Sequence, residues 1–176
     1  LIVGEGFHDR MKSPDHAEVV AIKAAGAKAK NATLVVSLEP CNHVGSTGPC
    51  VAAIIDAGIT SVVYAVSDPN AKAAGGAETL RAAGIKVVSG LLEKEAAYSN
   101  RAWLTKIAKN HPYFTWKVAT TLDAKVAATD GTSKWITNQT SRADVQQMRR
   151  HADAILVGTN TVIIDNPHLI PRGEFV

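Results

Sequence analysis

Four residues tie distant stretches of this chain to a single point. His16 and Glu18 stand two apart, Cys41 follows an apolar run that ends in Glu39-Pro40, and Cys50 comes after an eight-residue loop. One imidazole and two thiols supply three zinc ligands. Three protein ligands leave the fourth tetrahedral position open for water, the pattern of a catalytic rather than a structural zinc. Zinc lowers the pKa of such water to about 7. Glu18, not needed as a ligand, is placed to carry protons between that water and a leaving group. Any fold that uses these residues must bring one strand end and two helix starts together.

The surrounding pattern offers those elements. Leu1–Val3 is strand-like, with Gly4 and Gly6 loosening the backbone before His8. Asp15 is expected to cap a helix over 17–30, in which Val19, Val20 and Ile22 are apolar. The β-branched run 33–38 reads as a buried strand. A short helix over 51–57 is closed by Gly58, a strand spans 61–66, and a helix over 77–83 is stopped by Gly84. A strand over 86–88 and a helix over 92–109 follow. Strands alternating with helices imply an α/β fold with a parallel or mixed sheet covered on both faces. His16 and Glu18 then sit at one helix start and Cys50 at another. The partial positive charge of those ends favours thiolate over thiol, at the sheet edge where open α/β sheets bind small molecules.

Pro112 marks a change of texture, and two domains are expected, 1–111 and 112–176. In the second, 114–120 reads as a strand, 125–128 and 135–137 as a short strand pair, 141–150 as a helix and 154–157 as an apolar strand. The chain opens without Met on what reads as the tail of a strand, and closes on Pro171–Val176 with no terminating element.

Of the 176 residues 46% are hydrophobic and the net charge is +3, but the charge is evenly spread. Residues 1–110 hold 12 basic and 10 acidic side chains, and 111–176 hold 7 and 6. With no basic run or aromatic-interleaved patch, nucleic-acid binding gains no support. No apolar run reaches the length of a membrane span, so a cytoplasmic enzyme with no membrane partner is expected, acting on a small molecule. A sheet with exposed edges invites pairing with another chain, so a homo-oligomer, dimer or tetramer, is expected.

Blander readings exist for each member of the cluster. Asp15-x-x-Glu18 is a reasonable capping box, His16 alone fits a helix start, and Cys41 and Cys50 alone fit buried small hydrophobes. Together, His-x-Glu followed by Pro-Cys matches the signature of zinc-dependent nucleobase deaminases. The cysteine spacing differs, C-x8-C in place of C-x-x-C, and the longer loop raises His43 as a competing ligand or a substrate contact. Contact is favoured, because His16 and both thiolates already complete a set of three. A structural zinc with His43 as fourth ligand is the reading from another class.

Several motifs make the chain resemble the bifunctional riboflavin-biosynthesis deaminase/reductase family. They are His8 with His16-Ala17-Glu18, the stretch Leu38-Glu39-Pro40-Cys41-Asn42-His43-Val44-Gly45-Ser46-Thr47-Gly48-Pro49-Cys50, and Ser67-Asp68-Pro69-Asn70. Beyond Pro112, Lys117–Ala124, Ser133–Thr137, Val157–Val162 and Asp165-Asn166-Pro167 are similar to the opening of that family's reductase domain. The resemblance implies a cytidine-deaminase-like mixed sheet with helices on both faces. The start of a dihydrofolate-reductase-like domain follows it.

It further implies one zinc per chain and two consecutive reactions. The first is hydrolytic deamination of 2,5-diamino-6-ribosylamino-4(3H)-pyrimidinone 5′-phosphate, and the second is NADPH reduction of the ribosyl group to ribityl. Glu18 is then catalytic, His16, Cys41 and Cys50 bind the metal, and His8, Asn42 and His43 border the substrate. In the reductase half, Ala119, Trp135, Thr161 and Asp165 match cofactor-binding positions, and Ser133, Arg149, Leu169 and Arg172 match substrate-binding ones. Another zinc nucleoside or nucleotide deaminase with an unrelated C-terminal domain is the alternative. Ala124 stands where the family usually has Gly, so the tight turn after Leu122-Asp123 is expected to be altered. Gly48 replaces a usual Pro. The family's first helix and strand are expected before Leu1, and most of its reductase domain after Val176.

Overall fold

A computed structural model of the chain describes residues 1–9 and 11–172. The expected unterminated close at Gly173–Val176 lies outside the described residues. The chain divides into two compact units, Leu1–Phe114 and Thr115–Val176.

The first unit is built on three strands, β1 (Thr33–Leu38), β2 (Ser61–Val66) and β3 (Lys86–Ser89). They lie in the order β1-β2-β3, and both pairings are parallel. Parallel neighbours need crossover connections, and two helices supply them: α2 (Cys50–Asp56) between β1 and β2, and α3 (Gly76–Ala82) between β2 and β3. Ahead of the sheet runs α1 (Ala17–Ala25), which continues as a 3₁₀ turn over Gly26–Ala29. Side chains alternate across the pleat, so Leu34 and Val62 face one way. They join Val51, Ile54, Ile59, Leu80 and Ile85 in the main core, against which Ile22 of α1 also packs. On the opposite face Val35 and Val88 stay exposed.

Several local details differ from the sequence reading. Leu1–Val3 belongs to no strand. Gly4 and Gly6 serve close packing rather than looseness: a Cβ on either would stand 2.5 Å from a backbone oxygen of α1, that of Ala21 or Ala17. The N-cap of α1 is His16 rather than Asp15, and it makes no side-chain capping bond. Asp15 pairs instead with Lys23, 2.5 Å away. The helix expected over 92–109 is two, α4 (Glu93–Ser99) and α5 (Arg101–Lys109), broken at Asn100.

In the second unit the described residues form α6 (Gln139–Arg150) and α7 (Thr159–Asp165) and no strand. The runs 114–120, 125–128, 135–137 and 154–157 are β-rich in composition, but β-propensity expresses fit to a paired, half-buried surface. Here they have no strand partner, and none of the described residues of this unit is buried. Helix α6 is fixed locally, because the Asn138 side chain accepts from the Ser141 N–H at 2.9 Å. Helix α7 follows Gly158, within a stretch the sequence leaves unassigned. The turn expected to be altered at Ala124 keeps the left-handed backbone a glycine would adopt, with φ +62°. It closes through Ala124 N–H to Thr121 O at 3.0 Å and Thr121 N–H to Lys125 O at 2.9 Å.

Candidate metal centre

Three elements deliver the ligand candidates. His16 caps α1, Cys50 is the first residue of α2, and Cys41 stands three residues past the end of β1. The His16 Nδ1 lies 3.2 Å from Cys50 Sγ and 3.5 Å from Cys41 Sγ. All three candidate ligand atoms fall within 4.8 Å of one another. Among the described residues this group has three members, and His43 is not one of them. Both cysteines are buried, and the Cys50 N–H points at Cys41 Sγ from 3.4 Å.

The protonation pattern suits a cation. The hydrogen bond from Cys50 brings the Cys41 thiol down to about 5. The same bond, felt from its other end, pushes Cys50 up, and burial adds to this. Glu18 is buried beside Cys50, and burial raises its carboxyl above the usual carboxylate range. The charge of a divalent ion would balance two thiolates at this point. Two thiolates and an imidazole are a donor set that zinc accepts, at its usual coordination number with one position to spare. The capping-box reading of Glu18 is not what the fold shows, since α1 makes no side-chain cap and Glu18 turns inward to Cys50.

An open cavity of about 570 Å³ borders His16 and is lined by His8, Met11, Lys12, Ser13, Pro14 and Ser46. His8 lies against His16 with ring centroids 5.0 Å apart. Asn42 and His43 are not among the residues lining this cavity. Asn42 turns to α3, where its side-chain nitrogen donates to Thr79 Oγ1 at 2.9 Å. The His43 Nδ1 is buried with no hydrogen-bond partner.

Two buried acids beside the cluster escape the sequence reading, Glu39 and Asp68. The Glu39 carboxylate accepts from the Ala77 N–H at 2.9 Å and the Asp68 N–H at 3.2 Å. Burial raises the Asp68 carboxyl. The available signal was a charged residue closing an apolar strand directly before Pro-Cys.

The second unit gathers its candidates less tightly. Trp135 is exposed, with the Arg142 guanidinium 4.5 Å above its ring. Arg149 lies half-buried on α6, while Thr161 and Asp165 are exposed on α7. Ser133 is exposed in a loop, and Ala119 and Leu169 are half-buried. The Arg172 N–H donates to Gln146 Oε1, and Arg150 donates to the Arg172 carbonyl, both at 2.9 Å. Among the described residues no hydrogen bond joins Ala119, Trp135, Thr161 and Asp165 to one another.

Comparison with known proteins matches two stretches of the chain to different families. Residues 1–66 match the cytidine and deoxycytidylate deaminase zinc-binding region, and residues 112–174 match the RibD C-terminal domain. The riboflavin biosynthesis protein RibD of Mycobacterium tuberculosis (strain H37Rv) is 53% identical over 159 residues, 90% of this chain and 47% of that protein. The Aquifex aeolicus RibD is 52% identical over 172 residues, 97% of this chain and 48% of that protein. Among solved structures, a diaminohydroxyphosphoribosylaminopyrimidine deaminase/5-amino-6-(5-phosphoribosylamino)uracil reductase from Thermotoga maritima superposes with a TM-score of 0.86 at 43% identity. That match covers 94% of this chain and 48% of that one. The chain spans about half the length of the curated relatives it matches.

Proposed function

The chain belongs to the RibD family of riboflavin biosynthesis proteins, and from that premise we propose that its first unit is a zinc-dependent deaminase. The substrate is 2,5-diamino-6-ribosylamino-4(3H)-pyrimidinone 5′-phosphate and the product is the corresponding 5-amino-6-ribosylaminouracil phosphate. The observation that carries this reading is the meeting of the His16, Cys41 and Cys50 ligand atoms within 4.8 Å, with Glu18 buried alongside. Those three residues hold the metal. Zinc, when bound, supplies a Lewis acid that makes water a nucleophile near neutral pH.

The remaining work falls to the chain's own groups. In the overall exchange, water oxygen bonds to the ring carbon, the carbon–nitrogen bond breaks and ammonia leaves. Glu18 takes the proton from the water and returns it to the departing nitrogen, as general base and then general acid. His8, at the rim of the cavity beside His16, meets the substrate, while Asn42 and His43 shape the loop that borders it. Lys12, Ser13 and Ser46 give the same cavity a polar lining suited to a nucleotide.

The second unit is read as the opening of an NADPH-dependent reductase that converts ribosyl to ribityl. Ala119, Trp135, Thr161 and Asp165 would serve the cofactor, and Ser133, Arg149, Leu169 and Arg172 the substrate. Arginine suits a phosphate because its planar fork binds two oxygens at once. Among the described residues the outer edges of β1 and β3 have no strand partner, which supports association into a dimer or tetramer. Among the described residues no helix is long and apolar enough to cross a membrane; a cytoplasmic location is part of the proposal.

The test is zinc-dependent ammonia release from the diaminopyrimidinone nucleotide, beside cytidine and deoxycytidylate, with Glu18→Gln as control. Selective release that disappears in E18Q supports the assignment. Equal turnover of cytidine, or full activity in E18Q, would refute it.

A further inference from the structure

We propose that Glu39 is a positioning residue for the metal centre, fixing where the Cys41 sulfur stands by clamping the turn that carries it. The inference rests on His16, Cys41 and Cys50 being zinc ligands. Glu39 stands where three elements end or begin. Its own N–H donates to the Val66 carbonyl, the last residue of β2, at 2.8 Å. One carboxylate oxygen accepts from Ala77 in the first turn of α3 and the other from Asp68, two residues past β2. A carboxylate offers two acceptor oxygens and no donor, whereas an amide of the same shape offers one oxygen and an NH₂ that would face an N–H. The side chain is buried, so neither N–H has ready recourse to water, and losing one bond leaves a buried donor unsatisfied.

The clamp reaches the ligand through two peptide units. Pro40 follows Glu39, and its carbonyl is pressed against α3 so closely that a Cβ on Gly76 would lie 1.8 Å from the oxygen. Cys41 comes next. Its carbonyl accepts from the Val51 N–H at 3.3 Å, and its sulfur faces His16 and the Cys50 N–H. Asn42 is tied to the same neighbourhood by its N–H to the Ala73 carbonyl at 3.0 Å. Glu39 touches neither the ligand atoms nor the substrate cavity. It ties β1, the segment after β2 and α3 into one frame, so that Cys41 meets residues brought from α1 and α2. Losing a group that orients a metal ligand from behind typically costs about 10- to 100-fold in metal affinity.

The test compares Glu39→Gln with Leu80→Ala in the 176-residue chain. Leu80 is fully buried on α3, so L80A empties the core beside the clamp while leaving every Glu39 bond in place. Zinc affinity is measured by chelator competition, and ligation by the sulfur-to-cobalt charge-transfer band after cobalt substitution. The expected result is that E39Q folds, binds zinc about 10- to 100-fold more weakly and shifts the cobalt band. L80A should melt earlier with its zinc affinity and band unchanged. Unchanged affinity and band in E39Q overturn the proposal, as does an equal loss of affinity in L80A, which would trace the effect to stability alone. An E39Q chain that does not fold would assign Glu39 to the fold rather than to the metal, and would overturn the proposal as well. Zinc binding by the unaltered chain, with a cobalt band lost in Cys41→Ser, tests the metal centre separately. Its absence would sink both readings.

Discussion

Substituting Gly76 by Ala should damage the first unit far more than a methyl group's size suggests. An ideal Cβ at this position would stand 1.8 Å from the Pro40 oxygen and 3.0 Å from its carbon, against a floor of 3.0 Å for real Cβ contacts. The two backbones would therefore have to part by about 1.2 Å, the difference between the 3.0 Å floor and the 1.8 Å oxygen distance. Neither side is a flexible side-chain end. Overpacking of this kind costs about 3 kcal/mol at the upper end of the usual range. Parting α3 from Pro40 also strains the Ala77 N–H bond to the Glu39 carboxylate, worth about 2 kcal/mol as a bond to a charged group. The better helix propensity of Ala returns about 1 kcal/mol, leaving a net loss of about 4 kcal/mol when these terms are taken together. Urea unfolding followed by far-UV circular dichroism, with chelator present, measures the loss. Gly48→Ala is the matched control, since nothing lies within 4 Å of its Cβ position, and it should stay within about 0.5 kcal/mol of the parent. G76A as stable as G48A would refute the reasoning about this junction.

Three further outcomes follow from the same physics. Burial raises the Asp68 carboxyl above the ordinary aspartate value, so ionising it costs the metal-free native state stability. That cost is absent below about pH 4, where folded and unfolded forms are both protonated, and is fully felt once pH has risen through the raised native value. Asp68→Asn keeps the Oδ1 acceptor that the Asn70 N–H uses at 2.8 Å. It should therefore gain on the parent as pH rises, and a constant difference between the two urea midpoints from about pH 4 to 8 would contradict this. Ala124→Gly relieves a left-handed backbone at φ +62° and should stabilise the second unit by about 1 kcal/mol. Tryptophan fluorescence during denaturation is the readout, and a destabilised variant would count against it. Zinc at a hundredfold excess over its Kd should stabilise the first unit by about 2.7 kcal/mol, an increment that Cys50→Ser abolishes.

What the sequence reveals and what it conceals divide along a physical line. The β-branched runs at 33–38 and 61–66 become strands at those bounds because their partners lie in the same unit. The equally β-rich 114–120 and 154–157 do not, since pairing is a property of two segments and composition a property of one. Candidate metal ligands are legible because few side chains can do that chemistry, so His16, Cys41 and Cys50 stand out by type and spacing. Groups that hold ligands in place act through the backbone, and backbone N–H groups are the same at every residue but proline. Glu39 therefore shows in the sequence only as a charge closing an apolar run before Pro-Cys, and its role does not: its two partners, Asp68 and Ala77, lie 29 and 38 residues away and contribute only main-chain atoms. The role of Gly76 is hidden for the same reason, as its constraint comes from the Pro40 carbonyl rather than from any side chain. The frame is nonetheless as exacting as the ligand set. A shift of about 1 Å at that junction, one residue before Cys41, is on the scale of misplacement that costs an active site about two orders of magnitude in rate. Substitutions at Glu39 and Gly76 should thus weaken zinc binding, by less than the loss of a ligand does, with every candidate ligand residue still present.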